Sequence, residues 1–166
     1  MWKKVVTVAA LALAAAAPTE RRVASISVET IAWGDPLYSW RLDRDGSGRF
    51  AELEPTRMQP FGDYEYVTRS FRASPAEYRR VEALLRPSRG YAGRKLPCIF
   101  TATDQDSGTV TWRTDGSTVT LDFYYGCASR EVAPLYASFR RAHDIVAALA
   151  RKGRVVAVRP VHKPSD

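Results

Sequence analysis

Cysteine and histidine are scarce in this chain, 2 of each in 166 positions. A four-ligand zinc site built from Cys and His would need all four of them, and a disulfide framework more cysteines, so both are nearly excluded. The sequence also has no Gly-x-Ser-x-Gly elbow and no Ser-x-x-Lys motif, two common settings for a nucleophilic serine. Beyond Ala17 no apolar run approaches membrane-spanning length, so the rest of the chain reads as having no transmembrane segment. What is present is the composition of one globular domain: 45% hydrophobic, 26% charged and 11% aromatic.

The start of the chain reads as a secretory signal peptide. Met1-Trp2-Lys3-Lys4 is cationic, Val5 to Ala17 is an apolar run of 13 residues with Thr7 its one polar member, and small residues precede Pro18. That run is too short to span a bilayer as a helix. Residues 1–17 are thus assigned to the signal, and the expected location is the periplasm or the cell exterior. Without Lys3 and Lys4 the balance is 23 cations against 18 acids, which lowers the net charge from +7 to +5.

An oxidising compartment gives Cys98 and Cys127 a meaning, since two thiols in one exported domain are expected to pair. Cys98, Phe100 and Ala102 read as one face of a strand, and Val119, Leu121, Phe123, Tyr125 and Cys127 as one face of another, so both sulfurs are expected to point inward. Redox catalysis would need a close Cys-x-x-Cys pair, which the spacing of 29 does not provide.

Alternating apolar and polar residues predict strands over Val23–Trp33, Tyr38–Leu42, Arg49–Leu53 and Tyr64–Phe71. Pro55 to Gly62 interrupts them. Ser74-Pro75-Ala76-Glu77 has the pattern of a capping box with an early proline, and the helix it opens is expected to end near Arg86, stopped by Pro87. Asp115-Gly116 between two alternating runs predicts a hairpin that sets Trp112 opposite Val119 and Val110 opposite Leu121. A longer helix follows over about 134–152, with Leu135, Phe139, Ala142, Val146 and Leu149 at spacings of three and four. The expected fold is one α+β domain over 23–158, a mainly antiparallel sheet packed by helices at about 74–86 and 134–152, with one disulfide and a flexible tail at 159–166.

Asp43 to Glu54 resembles the calcium loop of the EF-hand family. By that resemblance Asp43, Asp45, Ser47 and Glu54 would supply side-chain oxygens and Gly48 the sharp turn. Period-two alternation before the loop, bulky Phe50 and Pro55 at the start of the exiting segment favour instead a hairpin whose turn is rich in Asp, Gly and Ser. Calcium is the alternative cofactor; otherwise none is implied.

Acid–base candidates are few. His143 falls beside Arg140, Arg141 and Asp144 and reads as a solvated helix residue. Glu52/Glu54 and Asp104/Asp106 are carboxylate pairs of the kind that hydrolyse glycosides, but near turns such pairs are usually just hydrated. Hydrolysis is therefore the third reading, after binding and calcium. The basic residues lie on several elements, and Arg140, Arg141, Arg151, Lys152 and Arg154 form the candidate surface for an anionic partner. Nucleic acid is not expected, because an exported protein meets anionic lipids and polymers instead. Tyr64, Tyr66, Tyr91, Tyr124 and Trp33 are aromatics that the inward register does not use.

Two stretches carry a family resemblance: Trp33-Gly-Asp-Pro-Leu-Tyr-Ser-Trp40 followed by Asp45-Gly-Ser-Gly48, and Ser74-Pro-Ala-Glu-Tyr78. Strand, glycine-rich turn and capped helix in this order resemble small secreted proteins of high-GC Gram-negative bacteria whose function is not established. In those proteins a Cys pair often occupies the turn that is Ala32 to Pro36 here. The resemblance implies export and a small α+β fold, and no activity. The sequence thus reads as a non-enzymatic periplasmic or secreted domain that binds a protein or an anionic component of the cell envelope.

Overall fold

The computed structural model describes residues 22–55 and 64–161; the signal assignment and residues 162–166 of the expected tail lie outside the described residues. Nine strands and two helices follow in the order β1 (Val23–Ala32), β2 (Asp35–Asp43), β3 (Ser47–Pro55), β4 (Tyr64–Arg72), α1 (Pro75–Arg89), β5 (Phe100–Thr101), β6 (Ser107–Thr114), β7 (Ser117–Tyr124), β8 (Cys127–Ala128), α2 (Ala133–Arg151) and β9 (Arg154–Val161). Seven strands form one sheet in the order β7-β6-β1-β2-β3-β4-β9, and every neighbouring pair is antiparallel. The short β5–β8 ribbon stands apart. The α+β class, the mainly antiparallel sheet, the two helices and the disulfide are all as expected.

Period-two alternation dictates which side is buried. Ile26 and Val28 of β1, Trp40 and Leu42 of β2, Phe50 of β3, Phe71 of β4, Val110 and Trp112 of β6, and Leu121 and Phe123 of β7 all enter one core. Both helices lie on that side. α1 contributes Tyr78, Val81 and Leu85, and α2 contributes Leu135, Phe139, Ala142, Val146 and Ala150, at the three- and four-residue spacings of one helical stripe. The Tyr78 hydroxyl donates to the Val23 carbonyl at 2.9 Å, tying α1 to the start of β1.

Turns set the register. The β6–β7 hairpin closes at Asp115-Gly116 and pairs Trp112 with Val119 and Val110 with Leu121, as the dipeptide predicted. Gly46 closes β2–β3 at φ 86°, and a Cβ there would lie 2.2 Å from the Ala73 carbonyl oxygen. Only glycine satisfies both the left-handed backbone and that close approach.

Three expectations need correction. Pro87 does not stop α1, which runs on to Arg89; proline is tolerated because only the last turn follows it, and the Ser88 hydroxyl donates to the Leu85 carbonyl at 2.6 Å there. Cys98 is not on an inward strand face. It sits exposed before the two-residue β5, while Cys127 is buried in β8, and the bridge spans 5.3 Å between Cα atoms. Finally, Arg159 to Val161 are not tail but the end of β9, paired with Tyr64 to Tyr66.

The bridge closes a separation of 29 residues. Reduction is expected to cost roughly 3–4 kcal/mol on the chain-entropy estimate. Urea unfolding with and without dithiothreitol measures it, and coincident curves would show that the crosslink does not hold the fold. In the same assay Trp112→Ala should cost about 3–5 kcal/mol, because the 1% exposed indole fills the space beside β1.

Candidate functional site

The residues of the calcium-loop resemblance are placed on a hairpin and do not converge. Asp43, at the end of β2, accepts from Arg41 Nε at 2.9 Å and Nη2 at 2.7 Å. Asp45, in the turn, accepts from the Ser47 backbone N–H at 2.9 Å and the Ser47 hydroxyl at 2.6 Å, and these bonds, the hydroxyl first, hold its carboxyl below the usual range. Glu54 lies at the opposite end of β3 from this turn, ion-paired with Arg69. Among the described residues no three His, Cys, Asp or Glu side chains are grouped as a metal site.

The proposed cationic surface is split as well. Arg140, Arg141 and Arg151 lie on the exposed side of α2, with Arg140 stacked 5.0 Å from the Tyr125 ring. Arg154 instead pairs with Ser70 across β4–β9 and stands on the side of the sheet away from the helices.

His143 is not the solvated residue that its charged neighbours suggested. Its ring lies 4.0 Å from Tyr38 and 5.6 Å from Phe50, and its Nδ1 is buried without a hydrogen-bond partner. The signal was present in the helix period: Phe139, Val146 and Ala147, at i−4, i+3 and i+4, are all buried. Burial pushes the imidazole pKa down; Asp144 opposes the shift and Arg151 adds to it. The Tyr125 hydroxyl is also buried and unpartnered, and its pKa is raised, first by burial and then by Tyr38. Beside this aromatic cluster, Glu52, Glu54 and Arg69 share the helix-covered side of β3 and β4. Arg69 Nη1 is 3.2 Å from Glu52 Oε1 and also binds Glu54. Desolvation, and then the Glu54 charge, raise the Glu52 pKa, whereas the bond from Arg69 lowers that of Glu54. This carboxylate pair is bridged by Arg69 rather than simply hydrated. Asp104 and Asp106 remain on a loop, where the Asp106 carbonyl accepts from the Tyr125 N–H at 2.9 Å.

The feature that sequence reasoning missed is the opposite side of the sheet, which no described element covers. Register lines up one row across all seven strands: Thr120, Thr111, Ser27, Arg41, Arg49, Ser70 and Arg154. Arg41 and Arg49 are direct cross-strand partners, and Arg72 lies two residues beyond Ser70 on β4. Two grooves meet at this arginine pair. One, of about 780 Å³, includes Asp43, Ser47, Ser70 and Arg72 in its lining; the other, of about 410 Å³, includes Ser27, Glu29, Ser39, Thr68 and Thr111. Among the described residues Arg41 has the Asp43 carboxylate, while Arg49 and Arg72 form no salt bridge. The hairpin centre at Asp45 already implied that residues four before and four after it would face each other. A separate groove of about 520 Å³ lies beside the disulfide, walled by Leu96, Phe123, Tyr124 and Tyr136, with Ile99 and Phe100 exposed nearby.

Compared with known proteins, the chain matches no family model and no curated relative.

The buried imidazole makes stability depend on pH. Its folded pKa lies below the unfolded value, so between the two the unfolded chain binds a proton that the folded chain refuses. Stability should therefore fall as pH drops below about 6.5, by no more than about 1.4 kcal/mol per pH unit, and level off below the folded pKa. Glu52, with its raised pKa, acts in the opposite sense above its unfolded value. The comparison that isolates the histidine is wild type against His143→Phe, which keeps a ring on Tyr38. The wild type should lose more melting temperature between pH 7.5 and 5, and parallel curves would refute the assignment.

Proposed function

We propose that this chain is a non-enzymatic domain, exported to the periplasm or secreted, that holds an anionic component of the cell envelope against the open face of its sheet. The observation that carries this reading is the unbalanced charge of that face, where Arg41 opposes Arg49 and neither Arg49 nor Arg72 has a carboxylate partner among the described residues. Like charges placed directly opposite each other destabilise a strand pair, and an anionic ligand relieves that repulsion. Export is supported by the cationic start and apolar run of residues 1–17 and by the Cys98–Cys127 bridge, a bond that persists in oxidising compartments. Binding is favoured over hydrolysis because the Glu52/Glu54 pair is held by Arg69 on the helix-covered side.

Two measurements test the two halves. Alkaline phosphatase fused behind residues 1–22 should be active in a Gram-negative host, since the enzyme matures only after export; an inactive fusion removes the location. Purified protein should co-sediment with envelope fragments at low ionic strength and be released as salt screens the contact. Protein that stays in the supernatant at low salt would remove the binding role.

A further inference from the structure

We infer that the arginine row is a binding site for an anionic polysaccharide, a chain of uronate or similarly charged sugars lying across the strands; this rests on the envelope-binding reading above and names its ligand. Three properties of the face select that chemistry. The site is extended: the two grooves of about 780 and 410 Å³ share Arg41 and Arg49 and so form one open track rather than an enclosed pocket. The row crosses the whole seven-stranded sheet, six inter-strand spacings or roughly 29 Å. A linear polymer fits that shape better than a small metabolite does.

The row combines charge readers with hydroxyls. Arg49 and Arg72 present guanidinium forks, which match carboxylate geometry with two parallel hydrogen bonds. Thr120, Thr111 and Ser27 lead up to the arginine pair on one side and Ser70 continues on the other, all donors and acceptors suited to sugar hydroxyls. Arg41 is held by its bonds to Asp43, and Arg72 Nη1 donates to the Asp45 carbonyl at 3.4 Å, so both are positioned along the track; among the described residues Arg49 and Arg72 have no carboxylate in salt-bridge contact and supply the anion contacts.

The same rows argue against the other polyanions. Single-stranded nucleic acid binds by stacking bases on aromatic rings. The residues flanking the arginine pair, Ser39, Ala51 and Thr68 in the next row and Ser27 and Ser70 in its own, offer none. Tyr66 of β4 is already stacked by Arg159, 5.6 Å away. An acidic peptide would use a sheet edge or side-chain pockets, and this track is the middle of a face.

The local arrangement also departs from what folding alone favours. Arg49 faces a second arginine whose charge is offset by Asp43 on one side only, an arrangement that adds nothing to the strand pairing, and departures of this kind mark functional positions. Arg49→Ser is therefore expected to leave the melting temperature unchanged or higher while weakening binding, a combination that a structural role does not produce.

The test is calorimetric titration of the full protein with alginate oligosaccharides, a polyuronate, at low and moderate salt. Dextran serves as the neutral chain, and oligo-dT and polyglutamate as competing polyanions. Alginate should bind with an affinity that falls as salt rises, dextran should not bind, and oligo-dT and polyglutamate should bind more weakly than alginate. Arg49→Ser with Arg72→Ser should lose about tenfold or more in affinity, as expected for lost charge-assisted hydrogen bonds. Arg79→Ser with Arg80→Ser removes the same charge from exposed positions of α1 and should change affinity little. Absence of alginate binding, tighter binding of oligo-dT or polyglutamate, or equal losses in the two double variants would each overturn the inference. If alginate fails while envelope fragments still sediment the protein, the polysaccharide assignment falls and the envelope reading survives.

Discussion

The structure depends on one-sided burial of a seven-stranded antiparallel sheet. β1 is an interior strand, flanked by Trp40 opposite Val28 and Trp112 opposite Ile26, and both indoles are buried under the helices. Once these residues are committed to the core, side-chain alternation sends Ser27, Arg41, Arg49 and Thr111 to the other side. A slip of one residue would exchange the two sets and place arginines beneath α1 and α2. The tight turns at Gly46 and Asp115-Gly116 therefore specify the outward face as strictly as they specify the core.

Charge is treated differently on the two sides. Beneath the helices Arg69 meets Glu52 and Glu54, so the half-buried cation is balanced by its own neighbours. Such a group removes an unfavourable buried charge and has no spare capacity for a ligand. On the open side Arg41 takes Asp43 and Arg72 reaches the Asp45 carbonyl, while neither Arg49 nor Arg72 has a salt-bridge partner among the described residues. Internal pairing marks the first cluster as structural, and the unpaired charge of the second is what the proposed binding of an external anion rests on.

Elements with strong local chemistry were legible in the sequence. The capping box of Ser74 and Glu77 forms as written, with the Glu77 carboxylate accepting from the Ser74 N–H at 2.6 Å, and the Asp-Gly hairpin has the expected register. What could not be read was long-range order. The neighbours of β1 are β2 and β6, distant in sequence from each other, so the row joining Thr111 to Ser27 and Arg41 exists only after folding. Nothing in the local sequence sets Arg49 and Arg72 apart for that reason. His143 failed differently: its charged neighbours outweighed a helical period that already placed it over the core.

The edges of the sheet bear on whether its open face or its rim meets a partner. At one edge the Gly93 N–H donates to the Thr120 carbonyl at 2.9 Å, so the segment after α1 occupies part of the free side of β7. At the other, β9 exposes Val155, Val156 and Val158, the composition that invites pairing with another strand. That strand is interrupted: its register shifts between Thr68 and Arg69 of β4, Pro160 lacks an N–H, and Arg154 and Arg159 flank the valines. In an antiparallel pairing of two copies centred between Val156 and Ala157, Arg154 of each would meet Arg159 of the other, and like charges at directly opposed positions oppose association. Irregularity, proline and cations thus blunt the rim. The uncovered face, with its grooves and with Arg49 free of any salt bridge among the described residues, is therefore the better candidate than the rim for the proposed binding.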